Sequence, residues 1–156
     1  MREMSRFSCD VMVYTDGGCM QYSPSYCSLA HNHTGVGRDS TDLVPGDLVN
    51  LTELRANLFP ADMLLLSGDA IVNESMLTGE SVPVSKNPAN DDDIARWRDL
   101  KDVQGELAKS FVHAGTRVVR VRGALATDGT TRQPALGLVV RTGRFYRSNW
   151  GICIQE

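Results

Sequence analysis

The chain lacks any concentrated block of lysine and arginine: 16 basic residues are scattered among 19 acidic ones, for a formal charge of −3 over 156 residues. A nucleic-acid surface needs the opposite, a basic stripe or patch, so nucleic acid is set aside as a partner. Long apolar runs are missing too. The longest, around Met63 to Leu66 and Leu136 to Val140, fall far short of the ~20 residues that cross a bilayer as a helix. Met1 to Asp10 is charged and has no apolar centre, so it does not read as a secretory leader. Neither a glycine-rich phosphate cradle nor a phosphorylatable Asp-Lys-Thr sequence occurs. A calorimetric titration of this polypeptide with Mg-ATP is therefore expected to show no specific heat, and saturable micromolar binding would overturn that reading. What is left reads as a soluble piece, expected to be monomeric on its own, whose 42% hydrophobic content suffices for one core of ordinary size.

Cysteine is sparse as well. Cys9, Cys19, Cys27 and Cys153 include no C-x-x-C pair, which argues against a disulfide framework and for a reducing compartment. In such a compartment the sequons at Asn32, Asn50 and Asn73 go unused. Cys19, Cys27, His31 and His33 offer zinc-type ligands, and a zinc-stabilised regulatory module is one conceivable reading. The spacing speaks against it, because structural zinc favours compact knuckles; no metal site is expected.

The residues present point to short strands and tight turns. Met1, Met4 and Phe7 stand at helical spacing, and Cys9 to Tyr14 then reads as a strand ending in the turn Thr15-Asp16-Gly17-Gly18. Residues 15 to 39 show no clear period and read as an insertion. From Ser40 the pattern is regular: a Pro45-Gly46 turn leads to a strand over Leu48 to Thr52, Pro60 stiffens the approach to Met63 to Leu66, and Ser67-Gly68-Asp69 predicts a hairpin into Ala70 to Asn73. Asp91-Asp92-Asp93 can cap and start a helix with Ile94, Trp97 and Lys101 on one face; a solvated helix start explains these aspartates better than a bound cation does. Thr116 to Arg122 predicts a strand paired in a hairpin with Ala135 to Arg141. Its arginines, Arg117, Arg120 and Arg122, fit the outward face of a half-buried strand, although a partner domain or an anionic lipid surface would suit them too. The fold class that follows is mainly β, of the distorted jelly-roll kind, with one or two short helices.

One stretch stands apart from this scaffold, Asn73 to Lys86, which carries Thr78-Gly79-Glu80-Ser81 between apolar runs. An acid beside a glycine and two hydroxyls is poorly suited to burial and well suited to an exposed reactive loop. Thr78 and Ser81 can hydrogen-bond to nearby backbone, and Gly79 admits positive φ. Glu80 at the tip could take a proton from water, as general-base attack on a carboxyl or phosphoryl ester requires.

Thr78-Gly79-Glu80-Ser81, preceded by Ile71 to Leu77 and followed by Val82-Pro83-Val84, resembles the signature loop of the actuator domain of P-type ATPases. Leu43-Val44-Pro45-Gly46-Asp47 and Pro60-Ala61-Asp62 resemble two upstream landmarks of that domain in the same order, though turn chemistry alone accounts for Pro45, Gly46, Asp47 and Asp62. Arg6 to Val11 is similar to the segment by which a type V pump enters its actuator, and Asn73 to Lys86 is most similar to the type V subgroup associated with polyamine export from vacuoles and lysosomes. The resemblance implies a single actuator domain over residues 1 to 143, with 15 to 39 atypical, and residues 144 to 156 outside the family pattern. It implies Glu80 as the catalytic residue, with Thr78, Gly79 and Ser81 shaping the loop. It also implies a parent pump that uses ATP and Mg2+, held by phosphorylation and nucleotide domains and transmembrane helices absent from this stretch, on the cytosolic face of an intracellular membrane such as that of a vacuole, lysosome or endosome. The fragment itself is expected to hold no cofactor and to have no enzymatic activity alone. A reading from another class, a free-standing β-domain acting as a protein-interaction module, needs no chemistry from Glu80; membrane helices and Asp-Lys-Thr-Gly further along the gene would decide between the two.

Overall fold

The computed structural model describes residues 8–14, 35–75, 79, 82–92, 94–95, 105–125 and 132–142. These residues form β1 (Asp10–Tyr14), β2 (Gly35–Asp39), β3 (Leu48–Asn50), β4 (Asp62–Ser67), β5 (Asp69–Asn73), β6 (Val84–Lys86), β7 (Phe111–Val112), β8 (Arg117–Arg122) and β9 (Leu136–Arg141). Short 3-10 turns at Ser40–Asp42, Leu51–Glu53 and Gly105–Lys109 connect them. The strands make two antiparallel sheets, a larger one in the order β2-β1-β3-β9-β4-β7 and a smaller one in the order β6-β5-β8. The architecture is mainly β, as the turn-rich sequence predicts.

Alternation along each strand decides which side chains meet. Val11 and Val13 of β1, Val49 of β3, Met63 and Leu65 of β4 and Val139 of β9 join Ala70 and Val72 of β5 in one buried cluster, so the core lies between the two sheets. Leu64 points the other way, into a second cluster with Ala89, Leu107 and Phe111, against which Leu66 and Ile94 pack. Burial on both faces is why β4 reads as an unbroken apolar run rather than an alternating one. Asp91, Asp92, Ile94 and Ala95 are helical, and the Ile94 N–H donates to the Asn90 carbonyl at 3.1 Å. A helix does start here, and Ile94 lies on its inward side. Trp97 and Lys101, expected on the same face, lie outside the described residues.

Two predicted hairpins are not formed. β4 and β5 follow one another through Gly68, yet β4 pairs with β7 and β9 whereas β5 pairs with β6 and β8. The Ser67-Gly68-Asp69 turn is a corner between sheets. β8 and β9 likewise belong to different sheets, and only the connection between them closes on itself: the Gln133 N–H donates to the Ala124 carbonyl at 2.8 Å and Leu125 bridges Arg132. Residues Gly35–Asp39, inside the stretch read as an insertion, form β2, which pairs with β1 from Asp10↔Asp39 to Tyr14↔Gly35.

The two landmark turns do structural work. The Asp47 carboxylate accepts from the Val44 N–H at 2.9 Å, and Gly46 has φ +104, closing the Pro45-Gly46 turn against β9 through Gly46 N–H to the Val139 carbonyl at 2.8 Å. Asp62 accepts from the Ala114 N–H at 2.8 Å, tying the start of β4 to the segment after β7. Turn chemistry is sufficient for both.

Asp39 ends β2 and caps the Ser40–Asp42 turn, accepting from the Thr41 N–H at 2.8 Å and from the Ser8 hydroxyl. The Ser8 bond first, and Thr41 second, hold its carboxyl below the ordinary carboxylate value. A carboxyl depressed in the folded state adds stability above its unfolded value and loses it as pH falls through the folded one. Urea midpoints of wild type and Asp39→Ala should therefore differ by a constant amount at neutral pH and converge in the acid range. A gap that persists unchanged at low pH would remove the carboxylate from the account.

Candidate functional site

The loop between β5 and β6 is built from its two ends. At the outgoing end, the Asn73 side chain accepts from the Ser75 N–H at 2.9 Å, an Asx turn of the kind that caps a helix start. The Ser75 carbonyl in turn accepts from the Gly79 N–H at 2.9 Å, across the four-residue span of a helical turn. Gly79 has φ +77, the left-handed conformation in which such turns end. A Cβ placed on Gly79 would meet nothing within 4 Å, so the backbone angle, not crowding within this chain, is what calls for glycine. The expectation that Gly79 adopts positive φ is met. Thr78, Glu80 and Ser81 lie outside the described residues.

At the returning end, Val82 and Val84 are exposed, at 69% and 39%, beside Pro83. β6 pairs with β5 as Val72↔Val84, Ile71↔Ser85 and Ala70↔Lys86. Residues opposite one another share a face, so Lys86 turns inward beside the small Ala70, and it is 5% exposed. Its Nζ lies 2.8 Å from Glu74 Oε1, with both side chains largely buried, and donates to the Ala108 carbonyl at 3.0 Å. The ends of the loop are thus joined by an ion pair that the sequence reading did not single out. Alternation offers little signal for it, since it groups Lys86 with Val84, whose side chain is exposed.

Beyond β5, β8 completes the small sheet. Arg117, Arg120 and Arg122 stand opposite Asn73, Ile71 and Asp69 and are exposed, as the outward-face reading expects. The register slips between Ile71 and Val72, which leaves Val119 without a partner and 53% exposed. Among the described residues no three His, Cys, Asp or Glu side chains gather as metal ligands, and no helix is long and apolar enough to cross a membrane. Cys19, Cys27, His31 and His33 lie outside the described residues. Cys9 is a free thiol whose proton is held more tightly through burial, which makes it a poor nucleophile.

Residues 21–143 match the P-type ATPase actuator domain family. Over 146 residues, 92% of the chain, it is 40% identical to the vacuolar cation-transporting ATPase YPK9 of Saccharomyces cerevisiae, of which it covers 8%. It is 43% identical over 152 residues to the probable cation-transporting ATPase 13A4 of Gallus gallus, covering 90% of the chain and 12% of that protein. With the polyamine-transporting ATPase 13A3 of Homo sapiens it shares 39% identity over 104 residues, covering 67% of the chain and 8% of the relative. The chain spans about a tenth of the length of these curated relatives. Signature loop, two-sheet scaffold and family match agree, and the chain belongs to the actuator domains of P-type ATPases, with relatives of type V.

Proposed function

We propose that this domain promotes hydrolysis of an aspartyl phosphate formed on a separate domain of a type V cation pump, with Glu80 as the group that orients and deprotonates the attacking water. Water attacks phosphorus in line, its proton passes to the Glu80 carboxylate, and the bond from phosphorus to the aspartate oxygen breaks, giving free carboxylate and inorganic phosphate. Thr78, Gly79 and Ser81 shape the loop that carries Glu80. The observation that carries the proposal is the capped turn from Asn73 to Gly79, which ends in a left-handed glycine with open space around it directly before Glu80. Such a backbone can approach a second surface closely. The exposed Val82 and Val84 give that approach an apolar flank suited to the phosphorylation domain.

ATP and Mg2+ belong to other parts of the parent pump. The described residues of this chain offer no carboxylate cluster for the metal and its sequence no phosphate cradle, so no step is routed through them here. A polyamine is the proposed cargo, supported by the relative named as a polyamine transporter, and the cytosolic face of a vacuolar, lysosomal or endosomal membrane is the proposed location, supported by the vacuolar relative. The test is decay of radiolabelled phosphoenzyme after a chase with unlabelled ATP, in full-length wild type and Glu80→Gln. Slowed decay supports the proposal. Wild-type decay refutes it and favours an interaction module, in which Glu80 does no chemistry.

A further inference from the structure

We infer that Glu74 and Lys86 are positioning residues for the loop, setting where Glu80 is presented; the inference rests on the role proposed for Glu80. Glu74 is the first residue after β5 and Lys86 the last of β6, so their 2.8 Å contact closes the base of the segment between them. Both side chains are nearly removed from solvent, at 12% and 7% exposure. A pair in that setting is a poor device for stability, since desolvating two charges offsets most of their attraction, and well-packed apolar residues would serve a core equally well or better. What the pair supplies is direction. The ammonium group is held from two sides, by the Glu74 carboxylate and by the Ala108 carbonyl of the Gly105–Lys109 turn.

The same anchor reaches both ends of the loop. Next to Lys86, the Asn87 N–H donates to the Lys109 carbonyl at 3.0 Å and the Ala89 N–H to the Leu65 carbonyl at 2.8 Å, so the returning strand is pinned to the large sheet's second cluster. Glu74, for its part, sits between Asn73, which caps the turn, and Ser75, whose carbonyl receives the Gly79 N–H. Moving Glu74 moves the turn that ends one residue before Glu80. Hydrolysis depends steeply on such placement, and a displacement of about 1 Å at a reacting group can cost on the order of 10²-fold in rate.

Two roles are separable in the full-length pump by phosphoenzyme formation and chase in Glu74→Gln, Lys86→Met and the double variant. If the pair only supports folding, each single variant leaves a buried charge unmatched and lowers the amount of labelled protein, and the double variant, with no charge left to match, returns to wild-type labelling and wild-type decay. If the pair positions the loop, the double variant labels to the wild-type level yet decays about 10- to 100-fold more slowly, and the two substitutions together slow decay no more than the more severe one alone. That second pattern is expected. Wild-type decay in the double variant overturns the inference, and so does a double variant that never becomes labelled. Glu80→Gln, run alongside, separates the two claims: slow decay in Glu80→Gln with normal decay in the double variant removes the positioning role alone, whereas normal decay in Glu80→Gln removes the role of Glu80 and this inference with it.

Discussion

Glu80→Gln in the full-length pump is expected to leave phosphoenzyme formation intact and to slow its breakdown by about 10²- to 10⁴-fold. Glutamine keeps nearly the shape and hydrogen-bond reach of glutamate, so a loop closed by Asn73, Ser75 and Gly79 at one end and by Lys86 at the other keeps its frame. The amide cannot accept a proton from the attacking water. Loss of that one function raises a barrier by roughly 3 to 5 kcal/mol. The effect is expected on a single step, because in the proposed cycle Glu80 would be remote from the aspartate during its phosphorylation. Labelled protein therefore accumulates with substrate present, and transport stops. Decay at the wild-type rate would refute the role of Glu80; a variant that never becomes labelled would point to docking or folding instead.

The parts of this domain that local chemistry determines were legible in the sequence. β1, β4, β5, β8 and β9 fall where apolar alternation or a short apolar run places them, and the Pro45-Gly46 turn closes through the aspartate that follows it. β2 was not legible because Gly35–Asp39 carries one apolar residue, Val36, and is exposed along most of its length, so no face is marked. Partner choice was not legible either. A glycine at positive φ after a strand signals a reversal, and the signal is the same whether the next strand pairs with the last or leaves for another sheet. Gly68 and the connection from Gly123 to Pro134 both lead to another sheet. The Val118-Val119 break in alternation was visible but reads as noise until the slip between Ile71 and Val72 shows it to be a bulge. At the loop, the motif pointed to Glu80 as the group to propose, whereas the Glu74–Lys86 pair was hidden by the ordinary expectation that a lysine near a strand end is solvated.

Gly68→Ala is expected to destabilise the domain by about 2 to 5 kcal/mol, the sum of a left-handed backbone penalty of about 1 to 2 kcal/mol and an overpacking term of about 1 to 3 kcal/mol. Gly68 has φ +82, and a Cβ there would lie 2.3 Å from the Arg122 carbonyl oxygen and 2.7 Å from Ala135 Cβ. Neither neighbour is a flexible side-chain end: one is the last backbone carbonyl of β8, the other a fully buried residue just before β9. The corner that sends β4 into β5 is therefore packed against the crossing that sends β8 into β9, and it sets how the small sheet, with its loop, leans on the large one. Gly115→Ala is the matched control. Gly115 has φ +78 but nothing within 4 Å of a Cβ, so it carries the backbone penalty without the clash, and the unfolded-state gain from alanine is common to both variants. Urea unfolding of the chain should show Gly115→Ala losing about 1 to 2 kcal/mol and Gly68→Ala clearly more, a large share of the ~5 to 15 kcal/mol that holds a domain folded. Equal losses in the two variants would mean that the corner yields to a methyl group, and that the junction between the sheets is not the rigid support on which the presentation of Glu80 depends.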